Sequence, residues 1–163
     1  MEYSVRDPIS GPGWAIQQLG PWVLGFWNET LDEERISECR RMYRAARLGH
    51  TRFAVLAAFA GYPFHLDVLR AESARKLAIA VFEENAASVD ALIFPLLGTG
   101  MKGSVMRLAA ASVVQATRTR VPLFFPADLD GGIAIARDLQ LFQVVPESEV
   151  RAHMHKLEEL ARW

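Results

Sequence analysis

The chain is predicted to be an α/β protein built on a mostly parallel central sheet, with an N-terminal β-hairpin and flanking helices. Three observations lead there. Arg52–Ala60 and Ala91–Leu97 are apolar at nearly every position, the mark of strands covered on both faces. They alternate with amphipathic stretches of helical length, the pattern of β-α-β units. Ahead of them, Trp14–Leu19 and Trp22–Trp27 are separated only by Gly20-Pro21, a turn dipeptide that folds two strands onto each other.

The elements follow in order. Residues 1–13 hold two prolines and two glycines and read as an irregular N-terminal segment; residues 14–163 read as a single α/β domain. After the hairpin, Thr30 is a suitable N-cap and Glu33, three residues on, completes a capping box. The helix it opens is predicted to run to Leu48 and stop at Gly49. Its apolar residues Ile36, Cys39, Met42, Tyr43 and Ala46 recur at three- and four-residue spacing and form one buried face. The strand Arg52–Ala60 comes next, then a helix over about 67–86 opened by Asp67, with Leu69, Ala74, Leu77, Ala78, Val81 and Phe82 inward. Ala91–Leu97 is the following strand, and Gly98–Gly103 turns into a third helix over about 103–118. Pro122–Phe125 is the last core strand. A short helix over Asp128–Leu139 and an amphipathic one over Pro146–Trp163 complete the chain.

Composition narrows the functional classes. The 163 residues carry 18 basic and 19 acidic side chains, a formal net charge of −1. Such a chain has no general attraction for phosphate backbones, so no nucleic-acid partner is expected. Half of the residues are hydrophobic, enough for one sizeable core. The single cysteine, Cys39, excludes an intrachain disulfide and favours a reducing cytoplasm. Neither a secretory leader nor a membrane span is expected, the longest apolar runs being strand-sized.

Five features bear on chemistry. Gly98-Thr99-Gly100-Met101-Lys102-Gly103 has the form G-x-G-x-x-G between a predicted strand and a helix, where glycines admit a pyrophosphate to the helix N-terminus. The acid expected about 20 residues later is missing, since that strand reads Pro122-Leu-Phe-Phe-Pro. The turn is therefore read as structural, with Gly98, Thr99, Gly100, Lys102, Gly103 and Ser104 kept as a candidate site for a small anion or nucleotide. His153 and His155 are two apart on a helix, hence on different faces, and read as solvated; no metal site is expected. Cys39 falls on an apolar helix face, as a structural thiol does, and no catalytic residue is assigned. Asp128 and Asp130 complement a helix dipole. The arginines of the first helix (Arg35, Arg40, Arg41, Arg44, Arg47) interleave with Glu33, Glu34 and Glu38 as a solvated, salt-bridged face.

Two features suit contacts with a protein. Trp14, Trp22 and Trp27 cluster in one hairpin; they suit sheet-face packing, and on an edge hairpin they would also suit an interface. The third helix, with Met106 and Val113 among its residues, is apolar over more than one face. A helix of that kind is either deeply buried or docked on a partner, and both alternatives stay open.

With these residues in hand, the layout resembles STAS-like domains of the sporulation anti-sigma-factor-antagonist type, in the broad form common in bacteria. The resemblance covers roughly residues 14–140. It rests on the strand pair Trp14–Trp27, the helix opened by Thr30-Leu-Asp-Glu-Glu, the strand Arg52–Ala60 and the ending Phe124-Phe-Pro-Ala-Asp-Leu-Asp-Gly-Gly. It implies a non-enzymatic regulatory module that binds a partner protein, a nucleotide or a small ligand. The family's phosphorylation switch follows a hydrophobic-Asp-Ser pattern after the core strand. Here the matching stretch is Leu66-Asp67-Val68-Leu69, with valine at the acceptor position and Ser73 a full turn further on.

The functional expectation is a non-catalytic regulatory or protein-interaction module, self-associating as a homodimer or binding a protein partner, with no cofactor. The alternative is a small-anion or nucleotide-binding sensor or enzyme that uses the Gly98–Ser104 turn.

Overall fold

A computed structural model of the chain describes residues 2–28, 32–60, 72–97 and 121–162. Among these lie seven strands and four helices. The order is β1 (Ile9–Gly11), β2 (Trp14–Leu19), β3 (Trp22–Trp27), α1 (Glu33–Gly49), β4 (Phe53–Ala60), α2 (Glu72–Asn85), β5 (Val89–Ile93), β6 (Leu96–Leu97), β7 (Leu123–Phe124), α3 (Leu129–Asp138) and α4 (Glu147–Ala161). The predicted third helix, its residues Met106 and Val113, and the whole Gly98–Ser104 turn lie outside the described residues, as do His65 and the start predicted at Asp67.

The hairpin forms where Gly20-Pro21 places it. Leu19 pairs with Trp22, and Gly20 takes φ +54° while proline holds the next residue negative, the combination of a type II′ turn. An added Cβ at Gly20 would also meet Val145 and Tyr3 at 3.0 and 3.1 Å. Residues 1–13, expected to be irregular, contribute a strand instead. β1 pairs antiparallel with β2, and a bridge from Val5 to Leu19 extends the pairing. Backbone bonds from Arg6 N to Gln18 O (3.1 Å) and Gly20 N to Ser4 O (2.6 Å) lie along the same margin. The hairpin is therefore not a sheet edge.

The sheet is mixed, in the order β1-β2-β3-β4-β5-β7. β1-β2 and β2-β3 pair antiparallel, whereas β3-β4, β4-β5 and β5-β7 pair in parallel. The predicted strand Ala91–Leu97 is present in two pieces. Phe94-Pro95 interrupts it, because proline has no N–H for the ladder; Pro95 serves only as acceptor, from Phe59 N at 2.8 Å. β6 then resumes pairing with the end of β4, Phe59 to Leu96 and Ala60 to Leu97.

Alternation along the strands sorts their side chains into two cores. On one face Trp14, Ile16, Val23, Trp27, Val55 and Ala57 meet Met42, Tyr43 and Ala46 of α1 and Ala74 and Val81 of α2. On the other, Leu19, Trp22, Leu24, Leu56 and Ile93 meet Ile133 and Ala136 of α3 and Val150, Met154 and Leu157 of α4. The three hairpin tryptophans divide between these layers. Trp14 and Trp27 oppose each other across β2 and β3 and stack at 5.6 Å, while Trp22 stacks on Phe142 at 5.5 Å from the opposite side. All three are buried. They pack as core side chains on the two sheet faces, each worth ~2–3 kcal/mol of apolar burial.

Helix ends follow local chemistry. α1 starts at Glu33, capped by Asp32, whose carboxylate accepts from Arg35 N at 2.9 Å. Glu33 is thus the first helical residue, which replaces the capping box predicted from Thr30. α3 is capped by Asp128, which accepts from Gly131 N at 2.7 Å. It ends with Gln140 at φ +57°, Gln140 N bonded to Arg137 O and Leu141 N to Ala136 O, both at 3.0 Å. That pair of bonds is a Schellman motif with glutamine where glycine is usual.

Two stability outcomes follow. Gln140→Gly is expected to raise the unfolding free energy by about 1 kcal/mol, since it removes the Cβ penalty of the left-handed region. Gly132→Leu is expected to lower it by about 2 kcal/mol, because a Cβ there already lies 3.0–3.3 Å from Pro95, Leu56 and Ile93. Urea denaturation followed by tryptophan fluorescence measures both, and a stable Gly132→Leu protein would contradict close docking of α3 on the sheet.

Candidate functional site

Ligands of parallel sheets bind beyond the carboxyl ends of the strands, where helices begin. That edge of this sheet is formed by the ends of β3, β4, β6 and β7. Leu97, the last residue of β6, lies opposite Ala60 at the end of β4, so Gly98 follows directly from the carboxyl end of a central strand. The residues Gly98, Thr99, Gly100, Lys102, Gly103 and Ser104 themselves lie outside the described residues. Along β3, β4, β5 and β7 the strand order advances in one direction, so the described strands contain no reversal point of the kind that opens a dinucleotide crevice.

Two other described positions of the edge are engaged. Asn28, next after β3, donates from Nδ2 to Ala161 O at the end of α4 (3.1 Å) and from its backbone N to Gly13 O (2.7 Å). The N-terminus of α3 already holds its own acids. Asp128 caps it, and Asp130 in its first turn accepts from Arg151 at 2.7 Å. Asp128 and Asp130 thus complement the helix dipole, as their spacing predicts.

Cys39 and Tyr43 are built into the packing. Cys39 is partly buried, and its thiol is pushed up to about 12 by burial, with Glu38 adding to the effect. A thiol so far above neutral pH carries no thiolate. Tyr43 beside it is buried, and its hydroxyl is raised well above the usual phenol range, again mainly by burial. Among the described residues, no group of three or more His, Cys, Asp or Glu could hold a metal ion.

One polar chain was not singled out from the sequence. Gln17 and Gln18 are adjacent in β2, so they point to opposite faces, and both faces are covered. Gln17 is 1% exposed. Its Nε2 donates to Arg6 O at 2.7 Å, and its Oε1 lies 2.8 Å from Nδ1 of His153 on α4. Since Oε1 only accepts, the imidazole proton sits on Nδ1. The contact joins the N-terminal strand segment, β2 and α4. Gln18 donates to Gly20 O at 3.2 Å and leaves Oε1 without a partner. The signal available beforehand was two consecutive glutamines inside an otherwise apolar strand. His153 and His155 do take different faces, as their spacing requires, but only His155 is solvated, beside Glu158 and Glu159. His153 is partly buried, which corrects its reading as a solvent-facing residue.

Ion pairs tie the helices together. Glu84 of α2 accepts from Arg40 Nε at 2.8 Å and Arg44 Nε at 2.9 Å, and its backbone carbonyl accepts from Arg47 at 2.8 Å. Bonds from Arg44, then Arg40, hold its carboxyl below the usual range. On the other face Glu147 receives two bonds from Arg137, at 3.0 and 2.8 Å, and one from Arg151 at 3.1 Å. These bonds lower its carboxyl and link α3 to α4.

The His153 contact has a pH signature. Burial lowers the imidazole below its ordinary value, so between the two values the unfolded chain binds more protons than the folded one. The stabilising contribution is full above about pH 6.5 and declines as the pH falls through the lower, folded-state value. His153→Gln is expected to flatten the loss of stability between about pH 7 and pH 5. Urea midpoints measured across that range test it; parallel curves for both proteins would remove His153 from the titration.

Comparison of the chain with protein-family models, with curated proteins and with solved structures found no match.

Proposed function

We propose that the chain is a non-catalytic, STAS-like regulatory or protein-interaction module that works by contact with a protein partner or a second copy of itself. One observation carries the reading: among the described residues, Cys39, Tyr43 and His153 are committed to the fold. The thiol of Cys39 is pushed up to about 12, the hydroxyl of Tyr43 is held protonated in the core, and Nδ1 of His153 is bonded to Gln17. The element order supports it further. A hairpin followed by a helix and the strand Phe53–Ala60, and an aspartate-capped helix after Phe124-Phe125, are the features on which the resemblance rests. The unpaired Cys39 suits a reducing cytoplasm. No helix among the described residues is long and apolar enough to cross a membrane.

A second reading has its own support. The Gly98–Ser104 turn follows the carboxyl end of β6, the position at which parallel sheets take small anions and nucleotides. In that reading the chain is a sensor or an enzyme for such a ligand.

Native mass spectrometry of the full chain, purified without refolding, separates the two. A homodimer or a complex of whole-number stoichiometry, at unliganded subunit mass, is expected for the interaction module. A reproducible added mass that disappears in a folded Gly100→Leu variant would move the function to the turn. A monomer of unliganded mass at every concentration tested would sink the self-associating form.

A further inference from the structure

We infer that the exposed face of α1 around Arg41, Arg44 and Leu48 is a docking surface for an acidic protein segment that carries an apolar side chain. The inference rests on the interaction-module reading and gives it a surface.

Charge is segregated along α1. Its acids, Glu33, Glu34 and Glu38, all precede Cys39, whereas Cys39–Gly49 contains four arginines and no acid. Among the described residues, Glu84 is the carboxylate that meets Arg40, Arg44 and Arg47, at 2.8, 2.9 and 3.7 Å. Three guanidinium groups around one carboxylate leave their mutual repulsion uncompensated, and a further anion would relieve it. The helix dipole accounts for Arg47 in the last turn, but its influence fades before Arg40 and Arg41. Nor does stability explain the cluster, since half-exposed ion pairs contribute little.

The geometry leaves the binding atoms available. Arg40 and Arg44 meet Glu84 through Nε, so these bonds do not use the terminal nitrogens, the ones suited to forked contact with a carboxylate. Arg41 is 67% exposed, and its one ion pair, to Glu38, is long at 3.5 Å. Arg41, Arg44 and Leu48 recur at spacings of three and four and share a helix face. Leu48 is 89% exposed, the most exposed large apolar side chain among the described residues. An apolar contact beside the guanidinium groups suits a peptide side chain and offers nothing to a phosphate. The net charge of −1 likewise gives no long-range pull on nucleic acid.

The test uses the full chain and a labelled synthetic peptide of roughly 12 residues built from glutamate and leucine, followed by fluorescence anisotropy. Saturable binding is expected, weakened about tenfold by Arg41→Glu with Leu48→Ser and by raising salt from about 50 to about 500 mM. Neither substituted side chain reaches the core, so circular dichroism should show both proteins folded. Absence of saturable binding, or binding unchanged in the variant, overturns the inference. So does an oligonucleotide of equal charge that binds as tightly as the peptide. Native mass spectra of the same variant keep the two readings apart: assemblies that persist leave the interaction module standing without this face.

Discussion

The parallel pairing of β3 with β4 is the joint on which the rest of the architecture depends. Six consecutive residues of β3, Trp22 to Trp27, lie opposite Ala54 to Phe59. Parallel neighbours cannot be joined by a tight turn, so the chain must leave the sheet and return, and α1 is that return. The next crossover, through α2 to β5, steps the same way across the sheet. Crossovers of one hand that step the same way put their helices on one side, and α1 and α2 accordingly share a core. That leaves the opposite face of β3 and β4 uncovered until α3 and α4 close it. The C-terminal helices are thus a consequence of the central pairing as much as an appendage to it.

The same constraint explains why the interior holds polar groups. β2 lies beside β3 and is covered on both faces, so neither Gln17 nor Gln18 can reach water. Burying an amide without partners costs several times what a hydrogen bond contributes. Gln17 meets this through Arg6 and His153, and in doing so binds the N-terminal strand segment to α4. A pair of residues that looks incidental in the strand therefore couples the two ends of the chain. Charged contacts repeat the theme at lower strength: Glu84 joins α1 to α2, and Glu147 joins α3 to α4.

Function follows from what this packing leaves over. Cys39, Tyr43 and His153 are taken up by the interior or by structural bonds, while arginines gather on the outer face of α1. That division is the basis of the interaction-module proposal. Among the described strands, β3, β4, β5 and β7 advance in one direction without a reversal point.

Much of the fold was legible beforehand. The hairpin at Gly20-Pro21, the apolar strands, the α1 periodicity and the helix after Asp128 all arise from interactions within a few residues, which local composition records. The long-range choices were not legible. Nothing in Ile9–Gly11 marks it as a strand, because its pairing is set by the margin of β2. The tryptophans share one hairpin, yet alternation sent Trp22 to one core and Trp14 and Trp27 to the other, and only the helices covering each face made both sides interior. Asp32 rather than Thr30 caps α1, a choice between neighbouring acceptors that composition leaves open. The face of His153 that meets Gln17 depended on where α4 lies across β2. By itself the sequence determined most of the described strands and helices, β1 excepted, since those choices are local. Tertiary structure alone decided which of their faces meet, because burial and pairing join residues that are distant along the chain.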